Sequence, residues 1–418
     1  MINKRLVIIG GGSAGMAAAI KAHELGERDI LIIEKNAYLG GILNQCIHNG
    51  FGLHEFKEEL TGPEFMTRFS NKVDELGISY TLESNVLSIS NDKVVTYSNA
   101  KEGIVEVKAE AIILTTGCYE RNAGAIQIPG DRPSGIYTAG QAQLYANCYG
   151  HLVGKKVFIL GSGDIGLIMA RRMTLEGAKV LGVAELMPYS AGLNRNIVQC
   201  LNDFNIPLYL SHTVKQVIGK SHLKKVIIAK VDEKMNFIPG TEMEFECDAL
   251  LLSVGLLPNV DLFNKLPITI SKTRGAKVNQ AMESDIPGIF SAGNVLHVHD
   301  LVDYVVEEAR EAAEGAVSYL RGELTHKGHA YDVNPGQGIN YVVPQKVFLD
   351  DVKESVSFKF RVSKPMKDIN ILITEGNNII KKIFKPAIVP SEMEIIKVSK
   401  DLFKKETNEI KVYVEERK

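Results

Sequence analysis

Two glycine-rich segments of this chain have the residue types and the spacing that phosphate groups require. The first, Gly10-Gly11-Gly12-Ser13-Ala14-Gly15, follows an apolar run, and a second apolar run ends at Glu34. The second, Gly161-Ser162-Gly163-Asp164-Ile165-Gly166, also follows an apolar run, and Glu185 lies as far beyond its last glycine as Glu34 does in the first. Each pattern predicts a strand, a tight turn, a helix and a second strand that ends in an acid. The chain therefore has two predicted dinucleotide sites.

Each glycine of the first segment has its own predicted role. One permits the tight turn after the strand, one lets the backbone approach a pyrophosphate, and one lets the helix pack closely on the strand. Free N–H groups at the helix N-terminus attract phosphate, and the acid is placed to accept a hydrogen bond from a ribose hydroxyl. The residues predicted to bind the first cofactor here are Gly10, Gly12, Ser13, Ala14, Gly15, Glu34, Lys35 and Gly41.

Two later strand ends favour FAD as the first cofactor. One strand ends in a small residue and a glycine, where the backbone would pass close to the cofactor. Another ends in a polar side chain that can meet the pyrophosphate or the ribityl hydroxyls. A helix that follows would direct its N-terminal N–H groups at the flavin ring. The residues predicted to bind FAD from these segments are Thr116, Gly117, Gly293, Asn294, Leu301 and Val302.

The second segment repeats the phosphate cradle and is predicted to bind a nicotinamide nucleotide. Its acid favours a free ribose 2′-hydroxyl, and no arginine follows directly, so NAD(H) is predicted over NADP(H). A vestigial site is the alternative. Asp164 lies inside this segment at a variable position, and a cap of the following helix is the alternative to a role in NAD binding. The residues predicted to bind NAD are Gly161, Gly163, Asp164, Ile165, Gly166, Glu185 and Gly255.

Composition excludes several classes of protein. With 418 residues, 45% hydrophobic and 23% charged, the chain fits a globular protein of two or three domains. The net charge of −2 gives no electrostatic case for nucleic acid. The chain has no apolar run of about 18 residues, so no membrane span is predicted. No signal peptide is predicted before the first strand. The five cysteines form no C-x-x-C, which disfavours a zinc ribbon or a dithiol and favours a reducing cytoplasm.

The order of the patterns predicts three domains. An FAD-binding domain is expected from residues 1–120 and 265–340, with an NAD(P)-binding domain at 121–264 between its two parts. Helices are predicted over 61–76 and from about Leu301 to Tyr319. From 341 to 418 the apolar residues alternate with period two, which predicts a small β-sandwich. This region is either a docking surface for another subunit or a stabilising lid.

The chain resembles the pyridine nucleotide–disulfide oxidoreductase superfamily over about residues 5–325. The strand that ends in Thr115-Thr116-Gly117, the segment Gly255-x-x-Pro258 and the tip Ala292-Gly293-Asn294 carry the resemblance. It implies an α/β fold with two Rossmann-like domains of the glutathione-reductase type, one for FAD and one for NAD(P), followed here by a small all-β domain. The family usually has Asp at the tip. Asn294 keeps an acceptor for a hydroxyl, so FAD binding is expected.

Two narrower resemblances concern the electron-transfer partner. Residues 116–121 with 129–140 are similar to the NAD-linked flavin subunits of sarcosine, opine and cyanide-forming amine oxidases. Residues 39–53 and 293–302 are similar to flavoproteins encoded beside glycerol-3-phosphate dehydrogenase in some bacteria. The second resemblance implies a dehydrogenase subunit as partner in glycerol-3-phosphate oxidation. A homo-oligomer is also open.

The roles of Cys46 and of the histidines near it and before the long helix have more than one interpretation. Disulfide reductases of this superfamily have C-x4-C after the Gly-Gly turn, whereas this chain has only Cys46 there. Cys46 is either a peroxidatic thiol with His48 lowering its pKa, or an ordinary thiol beside the flavin. His48 is also the candidate proton donor. In His297-Val298-His299-Asp300 no third ligand is evident, so no metal is predicted, and Asp300 is expected to cap the next helix.

Three functions follow from these patterns. The first is an FAD-dependent oxidoreductase that moves hydride between NAD(P)H and FAD and passes electrons to a partner or acceptor. The second is an NADH oxidase or peroxidase that uses Cys46. The third is a non-catalytic FAD-binding subunit of a dehydrogenase complex. Hydride exchange between nicotinamide and flavin needs a stacked geometry and no side-chain acid, so the first function requires no catalytic residue in the strict sense.

Overall fold

The computed structural model describes residues 2–263 and 266–416, which form two compact units. The first unit contains Met1–Cys118 and Pro258–Lys418, and the second contains Tyr119–Leu257. The second unit thus holds most of the predicted NAD(P) domain. The first holds the predicted FAD domain together with the strand-rich C-terminal region.

The N-terminal part of the first unit is a sheet with helices, as its apolar runs predict. Its main sheet has the order β5-β2-β1-β8-β7-β6, in which β1 pairs in parallel with both β2 and β8. Thr61 and Glu64 form a capping box at the start of α2, which explains why that helix begins where the sequence predicts. The elements are β1 (Ile2–Ile9), α1 (Ser13–Glu24), β2 (Ile30–Ile33), β3 (Asn49–Phe51), β4 (Leu60–Thr61), α2 (Gly62–Glu75), β5 (Ser79–Thr81), β6 (Asn85–Ile89), β7 (Val94–Asn99) and β8 (Gly103–Leu114).

The elements between residues 118 and 258 include a second parallel sheet with helices. Its order is β10-β17-β11-β12-β13, all parallel, and a three-stranded antiparallel sheet β14-β15-β16 accompanies it. The elements are β9 (Cys118–Glu120), β10 (Ile136–Thr138), α3 (Ala139–Cys148), β11 (Lys156–Leu160), α4 (Asp164–Leu175), β12 (Lys179–Glu185), α5 (Asn194–Cys200), β13 (Leu208–Leu210), β14 (His212–Ile218), β15 (Lys225–Lys230), β16 (Met243–Glu246), β17 (Ala249–Leu252) and β18 (Leu256–Pro258).

The chain then returns to the first sheet with one strand and one long helix. These are β19 (Ile289–Ser291) and α6 (Val302–Leu320), close to the predicted helix. β19 pairs in parallel with β8, in the register Phe290 to Ile113. The alanines of α6 pack against α1, since small side chains let two helices approach closely. The end of the sheet that is predicted to bind the cofactor is therefore completed by residues far apart in sequence.

The C-terminal module, residues 330–416, consists of two sheets around one apolar core. A five-stranded sheet β22-β20-β27-β24-β25 and a three-stranded sheet β21-β23-β26 share that core. The module begins at residue 330, before the predicted boundary at 341. The strands are β20 (Ala330–Pro335), β21 (Ile339–Val343), β22 (Lys346–Phe348), β23 (Ser355–Val362), β24 (Met366–Glu375), β25 (Asn378–Ile388), β26 (Glu394–Ser399) and β27 (Glu409–Glu416).

Among the residues that the structure describes, no helix combines the length and the apolar character needed to cross a membrane.

Candidate functional site

The first glycine segment is a tight turn that only glycine can form at two positions. Gly10 directly follows β1 and has φ +106°, and a Cβ there would lie 2.5 Å from the Thr115 carbonyl oxygen. A Cβ on Gly15 would lie 1.8 Å from the Gly10 carbonyl oxygen, because α1 packs directly on the strand end. The Thr115 hydroxyl donates to the Ile9 and Gly10 carbonyls at 2.9 Å. The sequence did not single out Thr115, whose role depends on the pairing of β8 with β1.

Gly12 differs from these two glycines because open space lies in front of it. Its φ of −77° suits any residue, and the nearest heavy atom to a Cβ at this position would be the Gly41 Cα at 4.0 Å. Gly40 donates its N–H to the Gly11 carbonyl at 2.8 Å, which holds the Gly40-Gly41 turn opposite the loop. Ser13 and Ala14 begin α1 directly behind this space. The predicted pyrophosphate site lies at this open space, in front of the N-terminus of α1.

Glu34 connects the second strand to the phosphate loop. Its carboxylate accepts from the Gly11 N–H at 2.6 Å and from the Asn36 N–H at 2.8 Å. The side chain is buried, and these bonds fix its orientation while lone pairs remain for a ribose hydroxyl. Lys35, which was also predicted to bind the cofactor, is exposed.

The two later strand ends lie at the same edge of the sheet as the first loop, since β8 and β19 are parallel to β1. Thr116 donates its hydroxyl to the Asn259 carbonyl at 2.9 Å, and Gly117 has φ +71°. A Cβ on Gly293 would lie 3.1 Å from the Ala14 Cβ, which places this loop against the first turn of α1. The Asn294 amide lies between Cys118 Sγ, at 3.6 Å, and the His299 N–H, at 3.0 Å.

The long helix begins where the FAD prediction requires a helix N-terminus. Leu301 is its N-cap and Val302 its first residue. Asp300 does not cap it, contrary to the sequence prediction. Its carboxylate instead pairs with Arg361 at 2.8 Å and accepts from the Met393 N–H at 3.3 Å. A charged partner from the C-terminal module competes successfully with the helix end for this carboxylate.

The second glycine segment repeats the geometry of the first within its own unit. Gly161 has φ +96°, and a Cβ there would lie 2.1 Å from the Ser253 carbonyl oxygen. Gly166 meets the Ser253 side chain and donates its N–H to the Ser253 hydroxyl at 3.1 Å. Glu185 accepts from the Ser162 N–H at 2.9 Å and from the Ser162 hydroxyl at 2.6 Å. Glu185 therefore holds its loop through the same backbone position that Glu34 uses.

Other predicted residues of the second loop have specific places. Gly163 is the N-cap of α4, and Asp164 and Ile165 are its first residues. Asp164 therefore does not cap this helix, and its role in NAD binding stays a prediction. Its carboxylate accepts from the Leu193 N–H at 2.8 Å and from the Asn196 amide at 2.6 Å, because the segment before α5 lies against the loop. Gly255 has φ +97°, a conformation that favours glycine.

Comparison with known proteins agrees with this doubled geometry. Residues 4–316 match the model of the family described as pyridine nucleotide-disulphide oxidoreductase. The chain belongs to this family. It is accordingly an FAD-dependent NAD(P)H oxidoreductase with the family's two cofactors, FAD and NAD(P)H.

Its relatives in this family include a reductase and a dehydrogenase. It is 27% identical over 295 residues to the thioredoxin reductase of Bacillus subtilis, an alignment that covers 69% of this chain and 86% of that protein. It is 25% identical over 393 residues to the mitochondrial dihydrolipoyl dehydrogenase of Caenorhabditis elegans, covering 82% and 76%. The crystal structure of T. acidophilum thioredoxin reductase superposes with a TM-score of 0.63 at 22% identity, covering 76% and 99%. That superposition supports the fold.

The thiol that could set this family member's chemistry is buried in the core. Cys46 packs among apolar side chains of the first unit, and its Sγ lies 3.5 Å from the Ile42 carbonyl oxygen. His48 is partly exposed, and its Nδ1 lies 3.1 Å from the Asn49 carbonyl oxygen. The burial of Cys46 among apolar side chains favours its structural role over the peroxidatic one. The catalytic roles of Cys46 and His48 stay predictions.

The two histidines before the long helix meet a carboxylate that the sequence did not connect with them. Glu308 Oε2 lies 2.7 Å from His297 Nε2, 3.5 Å from His299 Nε2 and 3.2 Å from Lys359 Nζ. These four side chains are named the Glu308 network, and all are at most 2% exposed. The two imidazoles and Glu308 could also hold a metal ion. Because the Lys359 ammonium already neutralises the same oxygen, we favour a hydrogen-bonded network, and the absence of a metal stays a prediction.

Burial and charge fix the protonation of the Glu308 network. Burial lowers the pKa of His297 to about 4, so its imidazole is neutral at pH 7. Its Nε2–H then donates to Glu308, and its Nδ1 lies 3.4 Å from the Tyr341 hydroxyl, which can donate to it. Burial alone would raise the pKa of Glu308, but His297 and Lys359 hold that pKa well below its ordinary value. Glu308 is therefore a buried carboxylate anion.

Proposed function

We propose that this protein exchanges hydride between NAD(H) and bound FAD and passes the electrons to a second protein, a dehydrogenase subunit in glycerol-3-phosphate oxidation. Bound FAD would supply the step from two-electron hydride chemistry to electron transfer. The residues of this chain bind and orient the two nucleotides. The observation that carries the proposal is the doubled loop, in which Glu34 and Glu185 make the same hydrogen bond to equivalent backbone positions.

The second loop supports NAD(H) as the preferred nicotinamide nucleotide. Glu185 is buried and oriented by Ser162 and by the Met187 N–H at 2.9 Å. A carboxylate so fixed accepts a hydrogen bond from a ribose 2′-hydroxyl and repels a 2′-phosphate. The intact hydrogen bonding of this loop also argues against a vestigial site.

The cysteines support a partner protein over a disulfide as the electron acceptor. All five lie within the described residues, none is in a disulfide, and none belongs to a C-x-x-C pair. Burial raises the pKa of Cys200 to about 11 and that of Cys247 to about 12, so both are protonated at neutral pH. Thiol exchange with a disulfide requires a thiolate, which these two side chains do not supply. Five reduced thiols also favour the reducing cytoplasm as the compartment.

The identity of the partner rests on the resemblance of residues 39–53 and 293–302 to flavoproteins encoded beside glycerol-3-phosphate dehydrogenase. Both segments belong to the first unit, which also contains the FAD loop. Because these two segments lie in the unit with the predicted FAD site, their resemblance to those flavoproteins supports the same electron-transfer partner for this chain. A non-catalytic FAD-binding subunit would need no fixed acid at the second loop, and Glu185 is fixed there.

Anaerobic titration of the holoprotein with NADH and with NADPH tests the hydride step. NADH is expected to bleach the visible flavin band at lower concentration than NADPH. Thioredoxin disulfide added afterwards should leave the flavin reduced, whereas a dye acceptor such as dichlorophenolindophenol should reoxidise it. No bleaching by either nucleotide would refute the hydride step, and fast reoxidation by the disulfide would refute the partner-protein acceptor.

The glycerol-3-phosphate role requires a separate measurement. Tagged protein purified from its native cells is expected to bring down a second flavoprotein. In that complex, glycerol 3-phosphate should bleach flavin and form NADH from NAD⁺. The isolated chain serves as the control and should not respond to glycerol 3-phosphate. A complex that reacts with NADH and ignores glycerol 3-phosphate would refute this substrate.

A further inference from the structure

A fully buried lysine connects the C-terminal module to the long helix of the first unit. Lys359 lies in β23 and is 2% exposed. Its Nζ lies 3.2 Å from Glu308 Oε2 and also pairs with Glu311, both in α6. A lysine so deeply buried needs close anions to remain charged. These two carboxylates, which raise the pKa of Lys359 against the effect of burial, meet that need.

The same carboxylate holds the loop that is predicted to bind FAD. Glu308 Oε1 accepts from the Gly293 N–H at 2.8 Å, while Oε2 faces His297 and Lys359. Gly293 in turn packs against Ala14 in the first turn of α1, behind the phosphate space. The Glu308 side chain of α6 therefore links Lys359 of the C-terminal module to the backbone of the predicted FAD loop at Gly293.

Two further contacts from the module hold the following residues of the loop. Arg361, two positions along β23, donates to the Val298 carbonyl at 3.2 Å and pairs with Asp300 at 2.8 Å. The Tyr341 hydroxyl from β21 lies 3.4 Å from His297 Nδ1. The segment from 293 to 300 is thus fixed on one side by module side chains. Its position depends on them as well as on the sheet.

Loss of the lysine charge would leave Glu308 without its ammonium partner inside the protein. A buried carboxylate without a cation either binds a proton or admits water, and both change its hydrogen bonds. His297 does not replace the missing charge, because burial keeps its imidazole neutral at pH 7. The Gly293 N–H would then lose the fixed acceptor that orients the loop.

We propose that Lys359 is a positioning residue for FAD and that the C-terminal module is an internal part of the FAD site. The module acts through Glu308 on the Gly293 amide, and neither lysine nor module needs to touch the cofactor. This role replaces the choice between a docking surface and a lid. The inference rests on the proposed FAD site at Gly12 and Gly293.

The test compares two lysines that join the same module to the same helix. Lys397 of β26 pairs with Glu307 of α6 at 3.2 Å, but these side chains are 60% and 44% exposed. FAD titration of the apoprotein should give a dissociation constant roughly tenfold or more above wild type for Lys359→Met. Lys397→Met should match wild type, since exposed ion pairs contribute little. Thermal unfolding of each apoprotein shows whether the titrated protein is folded.

Two more variants separate positioning from general stability. Lys359→Arg keeps the charge and should restore FAD affinity. The double variant Lys359→Met with Glu308→Gln removes both charges while an amide oxygen still accepts from Gly293, so it should bind FAD more tightly than Lys359→Met alone. Equal FAD affinity of Lys359→Met and wild type would overturn the inference, as would a double variant no better than the single one.

The outcome is distinct from failure of the proposed function. A wild-type protein that binds FAD but is not reduced by NADH would refute hydride exchange, while the order of FAD affinities would still support Lys359 as a positioning residue. A wild-type protein that binds no FAD would overturn both. If Lys359→Met does not fold, Lys359→Gln takes its place as the uncharged variant, and a folded Lys359→Gln protein with the FAD affinity of wild type would overturn the inference.

Discussion

Replacement of Gly12 by alanine separates the ligand role of a glycine from its role in the fold. The φ of −77° allows alanine, and its methyl group would meet nothing nearer than the Gly41 Cα at 4.0 Å. The free energy of unfolding of the apoprotein should therefore change by no more than about 1 kcal/mol, which combines a small N-cap loss with a gain from a less flexible unfolded chain.

The same methyl group would occupy the space where a pyrophosphate must approach the backbone. We expect the dissociation constant for FAD to rise roughly 100-fold, which corresponds to about 2.8 kcal/mol. Fluorescence titration of the apoprotein with FAD measures the affinity, and urea unfolding without FAD measures the fold. Gly15→Ala is the contrasting variant. Its methyl group would lie 1.8 Å from the Gly10 carbonyl oxygen, so the apoprotein itself should be strongly destabilised.

The result that refutes this reasoning is a Gly12→Ala protein with wild-type FAD affinity. It would mean that the phosphates do not lie against this glycine. If the Gly12→Ala apoprotein is as strongly destabilised as the Gly15→Ala apoprotein, the space in front of Gly12 is too small for a methyl group, contrary to the structure.

Three further predictions concern the second loop, the thiol and the response to acid. Glu185→Ala should lower kcat/KM for NADH by roughly 10- to 100-fold, the effect of a lost charged hydrogen bond, and change that for NADPH much less; equal losses in steady-state assays would contradict the NAD preference. Cys46→Ser should leave peroxide turnover unchanged and cost about 1–2 kcal/mol of stability by urea unfolding, because a hydroxyl is then buried; loss of turnover would restore the peroxidatic role. The folded pKa of His297 is about 4, below the ordinary 6.5, so the unfolded chain takes up the proton first and about 3 kcal/mol of stability should be lost as pH falls from 6.5 to 4. Glu308, whose folded pKa is also lowered, adds to the loss below pH 4.5; unfolding curves for wild type and His297→Gln between pH 7 and 4 check this, and a variant as steep as wild type would contradict it.

Local spacing predicts the two phosphate loops because the physics that fixes them is local. A tight turn needs Gly10 and Gly161, close helix packing needs Gly15 and Gly166, and each acid follows at a distance set by one helix. The capping box of α2 is local in the same sense. The positive φ angles, the helix packing of Gly15 and the spacing of the acids depend on neighbours within about 25 residues, and sequence patterns contain them. The carbonyls of Thr115 and Ser253 that crowd Gly10 and Gly161 come from distant strands, and no local pattern contains them.

Long-range contacts could not be read from the sequence in this way. The pairing of Glu308 with Lys359 joins a helix and a strand that no motif connects. Asp164 and Asp300 each precede or begin a helix, which favours a cap by local rules, but partners from distant segments claim both carboxylates. Propensity thus gives the helix ends correctly and the hydrogen bonds of these side chains wrongly.

The topology of the first sheet has a consequence for how the protein is made. β8 ends at Leu114, and the strand that pairs beside it, β19, begins at Ile289. During translation the ribosome must therefore produce the whole inserted unit before this sheet can gain its last strand. The inserted unit has its own sheet and core and can fold meanwhile, since domains generally fold as units. With FAD bound at Gly293 as proposed, uptake of the flavin nucleotide would then follow the emergence of the final third of the polypeptide.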